Sequence, residues 1–211
     1  MSSVRRGFQT GRPMAMIRDH YVLPIPPGDV PTRAWTVQVA LVNDATTVRL
    51  PVSIDGAPVG DAAHLTTLRI PGALPDREAW GNPATPLQFG EFARLQEARI
   101  EEMPDGWRVS LLWESQTPLP ADYTVFVHAY AATGELLATG DGPPQGGHFP
   151  TSLWQPGDRI LDVHGLPIPA GSVPARIAVG LYHPITGERL TATFDGEPLA
   201  DNAVVIWKAQ P

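Results

Sequence analysis

The chain has no cysteine, and only one of its 15 basic residues, Lys208, is a lysine. Without cysteine there are no disulfides, thiolate zinc sites, iron–sulfur clusters or cysteine nucleophiles, so a fold of this length must rest on its own core. Positive charge is scarce too: 15 Lys and Arg stand against 22 Asp and Glu, a net charge of −7, and no basic run tracks a phosphate backbone. Nucleic acid is therefore not an expected partner. No window approaches the ~20 consecutive apolar residues of a membrane-spanning helix. Met14, Met16 and Ile17 are interrupted by Arg12, Pro13 and Arg18, so the apolar core of a signal peptide is missing as well. The segment is expected to be soluble and not to insert into a membrane.

What the chain does contain is an internal repeat. Ile17 to Arg33, IRDHYVLPIPPGDVPTR, is identical to Ile160 to Arg176, ILDVHGLPIPAGSVPAR, at ten of seventeen positions. After a slip of three residues, Leu41 to Asp61 matches Leu181 to Asp201, sharing Leu, Thr, Arg-Leu, Asp-Gly, Pro and Asp. The apolar phase agrees: Val37, Val39 and Leu41 correspond to Ile177, Val179 and Leu181, and Leu50, Val52 and Ile54 to Leu190, Ala192 and Phe194. Alternation with period two in both runs predicts half-buried strands. Asp55-Gly56 and Asp195-Gly196 place the same tight reversal after them.

Upstream of the second copy lie further strand patterns at Phe92 to Glu102, Trp107 to Ser115, Tyr123 to Ala131 and Glu135 to Thr139. Continuing through Arg159 to Leu166, Ala175 to His183, Arg189 to Phe194 and Ala203 to Lys208, the unit has about eight short strands, the spacing of a β-sandwich. Phe92, Leu95 and Ala98 also fit a helical period, but the segment reads better as a strand. The first copy has room for only half such a unit. The expected architecture is all-β: residues 1–78 form a half unit repeating 160–209, and residues 79–211 form a complete Ig-like or jelly-roll-like sandwich. The connector PGALPDREAWGNPATP lies between them.

The run DYTVFVHAYAATGELLATGDGPPQGGHFPTSLWQPGDRILDVHGLPIPAG, followed by VGLYHPITGERL, resembles extracytoplasmic β-sandwich domains of bacterial polytopic membrane proteins related to dolichyl-phosphate-mannose-dependent mannosyltransferases. The strand-and-turn pattern is also similar to Ig-like domains that recognise polysaccharide. The resemblance implies a non-catalytic, extracytoplasmic module of the cell envelope and assigns no functional residues.

Motifs that carry chemistry are missing. There is no Gly-x-Ser-x-Gly elbow, His-Glu-x-x-His, P-loop or EF-hand loop, and the prolines in GDGPPQGG remove donors that a phosphate cradle needs. Six histidines have no short ligand spacing, so neither a metal nor a cofactor is expected. His128 reads as a hydrogen-bonded strand imidazole. Asp162, repeated as Asp19, reads as a structural hydrogen-bond acceptor, and Glu101 and Glu102 point to opposite faces of a strand.

The best binding lead is aromatic, because a pyranose stacks on a ring with a polar rim. Trp107 and Trp113 alternate with Val109 and Leu111 and read as core. Trp154 stands in the polar loop HFPTSLWQPGD with His148, Phe149 and Asp158, where the first copy has Gly11. These four are the candidate ligand-binding residues for a glycan, although Trp154 as a plug over the end of the sandwich is the favoured reading of that residue. Three function classes follow: a carbohydrate-binding or accessory module, a structural or assembly module, and, third, a glycan-active enzyme. The half unit's apolar face calls for cover, preferably by the complete unit of a monomer, otherwise by strand exchange in a homodimer.

Overall fold

The computed structural model describes residues 20–23, 33–70, 87–169 and 171–209. The expected boundary near residue 78, the connector, Asp19, Gly11 and most of the Ile17–Arg33 match lie outside them. Among the described residues the fold is strand throughout, interrupted by short 3-10 turns, and no helix is long and apolar enough to cross a membrane.

Two antiparallel sheets make the complete unit. One has β5 (Leu87–Phe89), β6 (Ala93–Met103), β7 (Gly106–Ser115), β10 (Arg159–Leu166), β12 (Ala192–Phe194) and β13 (Glu197–Pro198), in the order β10-β7-β6-β5-β12-β13. The other has β8 (Thr124–Tyr130), β9 (Leu136–Thr139), β11 (Arg176–Tyr182) and β14 (Val204–Lys208), in the order β14-β11-β8-β9. Their inner faces share one core: Leu95, Val109, Leu111, Trp113 and Ile160 from the first sheet meet Val125, Val127, Ile177, Val179 and Leu181 from the second. The alternation along β7 has the expected physical basis, since Val109, Leu111 and Trp113 are fully buried while Trp107, at the strand's end, is half-buried and packs edge-on against Trp207 at 4.9 Å.

The N-terminal half unit comprises β1 (Arg33–Val39), β2 (Val52–Ile54), β3 (Ala57–Gly60) and β4 (Ala63–Ile70), with β1 paired to β4 and β2 to β3. It reproduces the later copy bond by bond. The Asn43 N–H donates to the Val48 carbonyl and the Leu50 N–H to Leu41, as His183 donates to Glu188 and Leu190 to Leu181. Asp55 and Gly56 adopt φ 51 and 81, and Asp195 and Gly196 adopt φ 51 and 83, the left-handed values that make this turn favour Asp-Gly. Even the bulge is repeated: the β1–β4 register shifts between Val37 and Gln38, and the β11–β14 register between Ile177 and Ala178.

Burial does not follow the repeat. Ile177, Val179 and Leu181 are fully buried, whereas Val37 is half-buried, Val39 is 44% exposed and Leu41 is 65% exposed. The cover expected from the complete unit is not seen at these side chains. At Ile54 the exposure has a different origin, because its counterpart Phe194 is also exposed, 45% against 57%, in the complete unit.

Candidate functional site

The four predicted ligand residues lie between β9 and β10 in a loop built from two 3-10 turns, Pro144–Gly147 and Thr151–Leu153. Prolines 143, 144, 150 and 156 exclude a ladder here, and the backbone satisfies itself locally: His148, Leu153 and Trp154 donate to the carbonyls of Gln145, Pro150 and Thr151. These local bonds let the loop turn its apolar side chains inward. Phe149 is fully buried and Trp154 is 1% exposed; the indole N–H of Trp154 donates to the Phe149 carbonyl at 3.0 Å. The Trp154 ring lies 6.4 Å from Trp113, itself edge-on to Phe89 at 5.3 Å. Thr151 ties the loop down: its hydroxyl donates to the Ala121 carbonyl (3.0 Å) and accepts from the Tyr123 N–H (2.8 Å).

Trp154 and Phe149 therefore close the end of the sandwich and present no ring face to a saccharide. This corrects their assignment as ligand-binding residues. The physical reason is that core volume at the open end of two sheets outweighs the polar character of the flanking sequence.

His148 and Asp158 face the half unit instead. The Ala34 N–H of β1 donates to the His148 carbonyl at 2.9 Å. Arg69 of β4 donates from Nη2 to both Asp158 carboxylate oxygens, 2.6 Å to Oδ1, and from Nη1 to Gln155; its guanidinium stands 5.7 Å above the Phe149 ring. Asp158 Oδ2 also accepts the Gln155 N–H at 2.7 Å, so the carboxylate is fixed before Arg69 arrives. A cleft of about 450 Å³ opens beside this joint, lined by Arg33, Trp35, Thr36, Thr67, His148 and Leu153. Sequence reasoning missed Arg69, and no local signal marks it, since its partner lies 89 residues away.

Charge-assisted hydrogen bonds of this kind contribute about 1.5–3 kcal/mol. Arg69→Ala is expected to weaken the joint by that amount and to speed amide exchange at Ala34, while the melting of residues 87–209 changes little. Exchange at Ala34 left unchanged would mean that the joint rests on other contacts.

Against the same loop β10 carries a buried His–Asp pair. Gly140 approaches β10 so closely that an added Cβ would sit 2.4 Å from the Gly165 carbonyl oxygen. Its own carbonyl lies 2.9 Å from His164 Nδ1, and His164 Nε2 lies 2.7 Å from Asp162 Oδ2. Asp162, fully buried, accepts the Gln145 N–H on Oδ1 at 2.7 Å. Both imidazole nitrogens thus face oxygen atoms, an arrangement that suits the doubly protonated ring. Burial opposes that charge, but the hydrogen bond and charge of Asp162, the Gly140 carbonyl and the charge of Asp141 outweigh it and raise the His164 pKa above its ordinary value. Asp162 is the structural acceptor that the sequence suggests; the Asp-x-His spacing on one strand face is the signal that would have named its partner.

On the outer face of β8, His128 lies between Tyr130 Oη (3.2 Å) and Asp141 (3.2 Å). Arg176 stands over Tyr130 at 4.3 Å and Arg189 over Phe126 at 4.2 Å, so the guanidinium groups already occupy the ring faces a sugar would need. Among the described residues no group of three or more His, Asp or Glu converges as metal ligands do. No family model matches the chain, and neither the curated proteins nor the solved structures provide a match.

Proposed function

We propose that this chain is a non-catalytic β-sandwich module whose work is binding and assembly through its N-terminal half unit. One observation carries the reading: positions fully buried in the complete unit at Val179 and Leu181 stand exposed at Val39 and Leu41, although the turn, the bulge and the register of β1 on β4 match those of β11 on β14. Burying a side chain of this size stabilises by about 1.5–3 kcal/mol, so a partner covering this face gains affinity from side chains already held in place. The buried His164–Asp162 pair holds a loop against a strand, a structural use that supports the non-catalytic reading. The resemblance of residues 90–208 to extracytoplasmic domains accords with such a module at a cell envelope.

Paired substitutions test it. Val39→Asp with Leu41→Asp in the full chain is expected to change stability by less than about 0.5 kcal/mol, the usual range for surface positions, and to lower binding of a hydrophobic dye. Val179→Asp with Leu181→Asp is expected to unfold the complete unit. Equal damage from the two pairs would show that the half unit's face is already covered, and the reading would fall.

Glycan recognition is the second reading, and one observation favours it: Trp35, 41% exposed, lines the joint cleft with Arg33, Thr36, Thr67 and His148, an indole beside several polar groups.

A further inference from the structure

The complete unit shows how a half unit of this kind is covered. β11 is an inner strand, with β14 on one edge and β8 on the other; Ile177 stands opposite Ala129, Val179 opposite Val127 and Leu181 opposite Val125. β1 is the counterpart of β11, and β4, with its repeated bulge, is the counterpart of β14. Among the described residues β8 has no counterpart in the half unit. Among the described residues β1 pairs with no strand but β4, and the Ala34 N–H, at the start of β1, goes to the loop carbonyl of His148. The open stretch of edge therefore runs beside Val37, Val39 and Leu41, the residues whose counterparts β8 and the facing sheet bury.

On the binding reading given above, we infer that the free edge of β1 takes an antiparallel strand with the alternation of β8, carried by a β-sandwich half of the kind that residues 87–139 form. The interface is one the chain already makes within itself, β8 on β11, continued onto a second strand with the same bulge and the same following turn. Backbone hydrogen bonds to the edge give affinity, and alternate small or β-branched side chains, placed like Val125, Val127 and Ala129, give register.

Counting halves among the described residues sets strand exchange with a second copy aside as the way the face is covered. Among the described residues each copy has two halves of the β11 type, 33–70 and 159–208, and one half of the β8 type, 87–139. Strand exchange redistributes these without changing the ratio, so every exchanged dimer still leaves two faces open. A partner of the kind inferred brings a β8-type half in surplus over those of the described residues.

The test uses the full chain with a second copy of residues 87–143 placed before Met1. The first repeat match has an offset of 160 − 17 = 143, so residue 144 aligns with residue 1, and the added segment enters the half unit in its native order. Amide exchange over residues 36–41 is expected to slow by about 100-fold relative to the unextended chain, as edge amides become paired. Dye binding is expected to fall. Val125→Asp with Val127→Asp in the added copy alone is expected to abolish both changes.

An extended chain whose added segment folds while residues 36–41 exchange as fast as before would overturn the inference. So would slowing of the same amides in the unextended chain as it dimerises, which would assign the face to a homotypic contact. The assembly reading stands or falls separately, on the Val39 and Leu41 substitutions in the unextended chain.

Discussion

Trp154→Ala is expected to cost the protein about 3–5 kcal/mol, the range for deleting a large aromatic side chain from a core. The indole is 1% exposed and belongs to a file of rings, Phe89 on Trp113 and Trp113 against Trp154, that closes one end of the sandwich. Truncation leaves a cavity lined by side chains that are themselves fully buried, and it strips the Phe149 carbonyl of its indole donor, adding the penalty of an unpaired buried acceptor. With domain stabilities of about 5–15 kcal/mol, the loss is large enough to bring the melting transition near working temperature. Denaturant unfolding followed by tryptophan fluorescence measures it. A loss under about 1 kcal/mol would place the ring outside the core and return Trp154 to consideration as a ligand platform.

The second large effect belongs to Asp162. Its carboxylate is fully buried 2.7 Å from the His164 imidazole, and removing one partner of a buried charged pair costs about 3–5 kcal/mol because the other charge is stranded. Asp162→Asn keeps the acceptor for Gln145 but lacks the charge, so the size of the loss depends on whether His164 carries a proton. In the wild type the folded-state pKa of His164 is raised. Its stabilising contribution is therefore fully present below the unfolded value of about 6.5 and is lost as pH rises through the higher folded value.

In the asparagine variant desolvation acts unopposed by Asp162 and the folded pKa falls, so the sign reverses: stability is lost as pH drops below about 6.5. The variant is expected to be most damaged at mildly acidic pH and nearest to wild type in mild alkali, where a neutral imidazole can donate to Gly140 and accept from the new amide. Denaturation midpoints between about pH 5 and 9, with the His164 ring titration read by NMR, decide the matter. Parallel pH profiles for the two proteins would dissociate the pair from stability.

Much of this architecture can be read from the residues. The period-two runs at Trp107 to Ser115 and Tyr123 to Ala131 become β7 and β8 within a residue or two, because an inward face rich in Val, Leu and Trp leaves a strand no other way to bury it. β5 escapes notice, since Leu87 to Phe89 is too short to show a period and follows a proline-rich stretch. The repeat was legible as local geometry, down to the positive φ of Asp55 and Asp195, because turn chemistry is encoded in a few adjacent residues.

Burial was not legible in the same way. Val39 and Val179 have equivalent neighbours in sequence and opposite environments, since what lies across a sheet is decided by segments far along the chain. The loop residues failed for a related reason. Polar neighbours around Trp154 suggested exposure, but those neighbours close the loop's own turns and leave the ring free to point inward.

The duplicated bulge has a consequence for how the polypeptide finds its pairings. An unfolded chain carrying β1 and β11 with the same irregularity, and β4 and β14 each fitted to it, holds two locks and two keys of the same backbone pattern. Connectivity separates them. β1 reaches β4 by closing a short loop, whereas β1 reaches β14 only by closing one that spans the whole sandwich; for chains of these lengths the longer closure costs roughly 2 kcal/mol more in entropy. The order of segments along the chain thus favours the correct partner before any core has formed, beside whatever the differing side chains of the two pairs contribute.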